Sequence, residues 1–152
     1  MSEQRPEPVP AFVESPGRGV DLTFGDAWPG FGEAFADSVS SMPPRGRRGK
    51  RLSTYWIDRA LARLALPAPG PGAELSLAGG NDTALVRIGD MVVARSLYEL
   101  FDDEALSVEV VAGALRAWRV RVIERRRAFA IPQTYRRVAH RRVVWRRARG
   151  RG

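Results

Sequence analysis

The chain of 152 residues, 44% hydrophobic and 28% charged, has the composition of a globular domain with room for one modest core. It contains no cysteine, which excludes disulfides, thiolate-bound zinc, iron–sulfur clusters and thiol nucleophiles. Its net charge of +8 is unevenly placed: residues 1–115 hold 11 basic and 16 acidic side chains, a net of −5, while residues 116–152 hold 14 arginines and one acid, Glu124, a net of +13.

All but one of the 25 basic residues are arginine, the exception being Lys50. Coding from a GC-rich genome accounts for arginine in place of lysine, but less well for the lack of acids near the C-terminus. The N-terminus, MSEQRPEPVPAF, has no apolar stretch of the kind a secretory signal needs, and no apolar run approaches the ~18 residues of a membrane span. These features predict a cytoplasmic chain.

Residues 1–19, with Pro6, Pro8, Pro10 and Pro16 among polar neighbours, read as a disordered leader. Val20–Phe24 alternates apolar and polar residues, as a half-buried strand does. After the turn Trp28-Pro29-Gly30, the spacing of Phe31, Phe35, Val39 and Met42 predicts a short helix over 31–42, stopped by Pro43-Pro44. Arg45–Arg51 reads as a mobile basic linker. A helix is predicted over 51–66, with Ser53 as its N-cap, Leu52 and Ile57 as a hydrophobic staple, and Ile57, Ala60, Leu61 and Leu64 as its buried stripe. Arg59 and Arg63 fall on another face and are expected in solvent.

Residues 73–101 read as a β-meander: a strand over 73–78, the turn Gly79-Gly80-Asn81-Asp82, a strand over 83–88 with Ala84, Val86 and Ile88 on one face, a tight Gly89-Asp90 hairpin, and a returning strand over 91–96. Leu97–Phe101 extends that strand or opens a helical turn. Ser107 is the expected N-cap of the longest helix, from Val108 to about Arg127, whose apolar stripe is Val108, Val111, Leu115, Trp118 and Val122.

The predicted fold class is therefore α+β. It has a small antiparallel sheet of three or four strands with helices on one face. Its divisions are a leader over 1–19, a folded domain over 20–130 and an Arg-rich tail over 131–152.

Few residues suggest chemistry. The single histidine, His140, stands among Arg136, Arg137, Arg141 and Arg142, and no nucleophile motif accompanies it. Asp102-Asp103-Glu104 matches no cation-binding loop and reads as helix N-terminal electrostatics. The Gly79-Gly80 turn lacks the pattern of a phosphate loop. Trp28, Trp56 and Trp118 are expected in the core with their indole N–H groups hydrogen-bonded. No catalytic, metal or cofactor-binding residue is predicted, and no cofactor.

The tail holds the remaining candidates. Tyr135, Arg136, Arg137, Arg141, Arg142, Trp145, Arg146 and Arg147 form three cation pairs at a five-residue repeat, interleaved with aromatics. Such a pattern suits phosphate contacts and base stacking. The leading expectation is a non-enzymatic protein-interaction domain, of which an inhibitory or toxin-neutralising partner is one form. The alternative is a nucleic-acid-binding accessory protein that uses the tail for non-specific phosphate contacts.

Overall fold

The computed structural model describes residues 4–15, 19–46 and 52–148, with side chains up to 129. The fold is α+β with two antiparallel sheets. In chain order its elements are β1 (Ala11–Ser15), β2 (Gly19–Thr23), α1 (Pro29–Ala34), a π-helical turn (Phe35–Val39), α2 (Tyr55–Leu64), β3 (Leu75–Gly79), β4 (Thr83–Ile88), β5 (Met91–Ser96), β6 (Glu104–Ser107) and α3 (Val108–Ala148). The first sheet is the β1–β2 hairpin, and the second is a four-stranded meander in the order β3-β4-β5-β6.

Several elements follow the periodicity. In β2, Val20 and Leu22 are buried, and in α2 the stripe Ile57, Ala60 and Leu64 is buried with Leu61 packed against it. On α3, Val111, Leu115, Trp118 and Val122 face the core, Val108 packs at its edge, and Ser107 Oγ accepts the Val110 amide as a first-turn cap. The Gly89-Asp90 turn joins β4 to β5, with Gly89 at φ +56° and Ile88 opposite Met91.

Other elements depart from it. Two strands are additional. β1 occupies part of the stretch read as a leader, paired from Ala11↔Thr23 to Ser15↔Gly19. β6 pairs with β5 from Met91↔Ser107 to Ala94↔Glu104. The predicted helix over 31–42 is a shorter α1 that widens into the π turn and ends at Ser40, whose φ of +61° leaves the helical region before the prolines are reached. Widening keeps Phe35 and Val39 buried and brings Asp37 and Ser38 against the β3–β4 hairpin. α2 starts at Tyr55 after Thr54, although Ser53 Oγ still accepts the Tyr55 amide. Of its two arginines expected in solvent, Arg63 donates to the Ser76 carbonyl of β3.

The apolar face read for β4 is its outer one. Thr83, Leu85 and Arg87 face the helices; on the face read as buried, Val86 is buried outside the core cluster and Ile88 is exposed. Arg87 is buried with no carboxylate partner among the described residues. Its guanidinium donates to the carbonyls of Leu64 (3.0 Å) and Leu66 (3.2 Å) at the end of α2, and to Gly89 O (2.9 Å). Carbonyls at a helix C-terminus carry partial negative charge, so they can satisfy a buried cation.

The core is organised around aromatic rings. Trp118 meets Phe35 at 6.0 Å, Phe35 meets Phe31 at 5.8 Å, and Phe31 meets Trp28 at 6.5 Å, with Phe24 beside Phe31 and Phe35. Two of the three tryptophans expected in the core with bonded indoles fit, Trp118 donating to Val20 O at 2.7 Å and Trp28 to Pro6 O at 3.1 Å, while Trp56 is only partly buried, edge-on to the Tyr55 ring.

Leu115→Ala should lose about 2–5 kcal/mol through a cavity in this core. Val120→Ala, on the exposed side of the same helix, should change stability by less than about 0.5 kcal/mol. Urea midpoints of the two variants check the assignment, and equal losses would show that the helix face is wrongly placed.

Candidate interaction loop

Between β5 and β6 the chain makes a short excursion over residues 97–103. Leu97, Tyr98 and Leu100 lie here, 52%, 67% and 71% exposed. The loop is pinned despite this exposure. The Leu97 amide donates to Asp82 O of the neighbouring hairpin at 2.8 Å, and Ser96 Oγ accepts the amides of Tyr98 (3.3 Å) and Leu100 (2.9 Å). Glu99 adopts φ +56°, a left-handed conformation that costs a side-chain-bearing residue about 1–2 kcal/mol. The turn closes on Phe101, which packs against the core over Gly30.

The loop is set among acids. Glu99, Asp102 and Asp103 are exposed. The nearest cation in sequence, Arg95, is held by Glu74 (3.1 Å) and Asp103 (3.3 Å). The Arg95 hydrogen bond holds the Glu74 carboxyl below its ordinary value, while the bonds to Glu74 and Asp103 raise the Arg95 guanidinium.

Asp102-Asp103-Glu104 therefore does not serve the N-terminus of α3, because β6 intervenes. The three carboxylates take separate roles: Asp102 in solvent, Asp103 on Arg95, and Glu104 buried. Among the described residues no group of three or more potential ligands could hold a metal ion, and no helix is long and apolar enough to cross a membrane.

The Gly79-Gly80-Asn81-Asp82 turn does bind an anion, but an internal one. The Asp37 carboxylate accepts the amides of Asn81 (3.2 Å), Asp82 (2.9 Å) and Thr83 (2.9 Å) and the Thr83 hydroxyl (2.9 Å). A Cβ on Gly80 would collide with that carboxylate, which explains the glycine. Burial disfavours the charged form of Asp37, but the hydrogen bonds from Asp82, Thr83 and Asn81 together outweigh it and lower the carboxyl.

The tail positions proposed from sequence, Tyr135 and Trp145 with the arginines at 136, 137, 141, 142, 146 and 147, belong to α3 by backbone, and their side chains lie outside the described residues. So does the side chain of His140. Most of the basic linker, residues 47–51, lies outside them too. Nearer the body, three arginines of α3 are paired: Arg119 with Asp58 at 2.6 Å, and Arg121 and Arg125 with Glu14 of β1 at 2.8 and 3.3 Å.

The loop itself was missed as a site. Its signal is that Leu97 and Phe101 share one strand parity and Tyr98 and Leu100 the other. A continued strand would thus be apolar on both faces just before three acids. No protein-family model, curated protein or solved structure matches the chain.

A carboxyl lowered by folding contributes stability above its unfolded value, and that stability is lost as pH falls through the folded value. Asp37→Asn should therefore destabilise by on the order of 1–3 kcal/mol near neutral pH. The loss should shrink as pH falls below about 4, where the carboxyl of the unfolded chain takes up its proton while folded Asp37 still resists it. Asp21 works in the opposite sense, since burial raises its carboxyl and acid relieves the cost. Urea titrations of wild type and Asp37→Asn between pH 3 and 7 check this; parallel curves would show that Asp37 does not contribute as a charge.

Proposed function

We propose that the chain is a non-enzymatic protein-interaction domain that binds its partner through Leu97, Tyr98 and Leu100. The observation that carries this reading is the exposure of three large apolar side chains on one turn, held by its amides' hydrogen bonds to Ser96 Oγ and Asp82 O and left-handed at Glu99. Scattered apolar residues on a surface need no explanation, but a pinned cluster does. Fully burying each of the three would contribute roughly 1.5–3 kcal/mol, and the fixed turn lowers the ordering cost of binding. The acids beside them select a partner with an apolar pocket rimmed by lysine or arginine. An inhibitory or toxin-neutralising role is one form such binding takes.

The triple variant with Leu97, Tyr98 and Leu100 replaced by serine should melt within a few degrees of wild type, because these side chains are largely outside the core. Affinity purification of both proteins from their native cells, with nuclease treatment, tests the binding. A protein that survives nuclease and is lost with the triple variant supports the reading. Identical recoveries from the two proteins, or loss of every partner on nuclease treatment, would overturn it.

The charge asymmetry supports a second reading, a nucleic-acid contact by the tail. Engaging about six phosphates would give a log–log salt slope of roughly −4 to −5. Truncation after Pro132 removes Arg136 and all later arginines and should abolish most binding to single-stranded DNA or RNA. Fluorescence anisotropy at two salt concentrations reads the slope, and absence of micromolar binding by the full chain in low salt would rule this reading out.

A further inference from the structure

A second site lies beneath the N-terminal strap, residues 4–10, which has no regular secondary structure and leads into β1. The Arg5 guanidinium lies over the Trp28 ring, 5.1 Å from its centre, and pairs with Glu104 Oε1 at 3.5 Å. The Trp28 indole N–H donates to Pro6 O at 3.1 Å. Glu104 is 3% exposed, and its other oxygen accepts the Phe31 amide at 3.0 Å. Gly30 forms the floor: a Cβ there would stand 2.7 Å from the Phe101 ring and 2.9 Å from the Glu104 carboxyl carbon.

These contacts have the chemistry of a receptor. An aromatic face and a buried carboxylate recognise a guanidinium, and the indole donor reads the carbonyl one residue further on. Arg5 is the only cation paired with Glu104 among the described residues, and it comes from a segment outside the sheets. A nearly dry carboxylate is costly without its counter-charge, so the site favours another cation when the strap leaves it. Arg5 itself is 50% exposed, so it lies at the mouth of the site. Arginine suits the site better than lysine, because its planar group stacks on the ring while a terminal N–H reaches the carboxylate. The following proline restricts the backbone before binding and holds the arginine extended.

We infer that Trp28, Gly30, Phe101 and Glu104 form a binding site for an Arg-Pro segment of a partner protein, occupied in this chain by its own Arg5-Pro6. The strap acts as a tethered competitor. Tethering gives it an effective concentration in the millimolar range, so a free peptide competes poorly with the wild-type strap. This site is distinct from the exposed loop, and its test does not depend on loop binding.

The test uses the full chain carrying Arg5→Ala and, as a probe, a synthetic peptide of residues 2–10, SEQRPEPVP. Binding is followed by calorimetry and by the Trp28 indole N–H resonance. The Arg5→Ala protein should bind the peptide saturably, with the Trp28 resonance returning toward its wild-type position. Wild type should need at least tenfold more peptide. A peptide with lysine or alanine in place of arginine should bind at least tenfold more weakly, and adding Glu104→Gln to the protein should remove binding. Arg5→Lys leaves a charge beside Glu104 and serves if the alanine variant does not fold; the arginine peptide should displace its strap where the lysine peptide does not. Absence of a saturable shift at millimolar peptide in a folded variant would overturn the inference, as would equal binding of arginine and lysine peptides.

Discussion

The fold depends on the placement of Trp118. It is fully buried on α3, its ring meets Phe35 of the π turn, and its indole N–H donates to the Val20 carbonyl of β2, 98 positions away in sequence. One side chain thereby joins the helix to the N-terminal hairpin and to the layer that covers the four-stranded sheet. The contact also sets what lies further along. From Trp118 the rings run through Phe35 and Phe31 to Trp28, so the aromatic wall beneath Arg5 is the far end of a packed row. Packed aromatic rings resist displacement, so Trp28 is a stable platform, and change at that site falls to the strap.

How much of this was legible follows from where the information lies. The stripe on α3, the stripe on α2 and the alternation of β2 are local patterns, and they were readable. β1 was not, because a single residue, Phe12, packs on the core while prolines flank it on both sides, giving the composition of a leader. Its pairing with β2 is a tertiary fact. β6 is four residues long and begins with a buried glutamate whose partners among the described residues are the Phe31 amide and Arg5. The inward face of β4 was misread for the same reason. Arg87 is acceptable in the core because carbonyls from the end of α2 converge on it, and nothing near it in sequence announces them.

The candidate sites divide along the same line. The loop had a local signature, apolar residues at both strand parities ahead of three acids. The strap site had none. Its members come from residues 5, 28, 30, 101 and 104, and it exists only where the N-terminus crosses α1 and β6. The arginines illustrate how charge counts mislead. Part of the excess of residues 116–152 is spent on the body, with Glu14 of β1 accepting both Arg121 and Arg125, and Asp58 of α2 accepting Arg119. Exposed pairs of this kind contribute only about 0–1 kcal/mol each. Two arginines one helical turn apart share the single Glu14 carboxylate and tie β1 to α3.

The loop and the strap site share a short stretch of chain. Leu100 is exposed, Phe101 packs over Gly30, and Glu104 faces Arg5, all within five residues. Phe101 is the hinge between them, since the same ring closes the exposed turn and walls the buried carboxylate. The left-handed Glu99 lies between two held ends, Asp82 and Ser96 on one side and Phe101 on the other. Gly30 is what lets one ring serve both places: a Cβ there would drive into the Phe101 ring and the Glu104 carboxyl together.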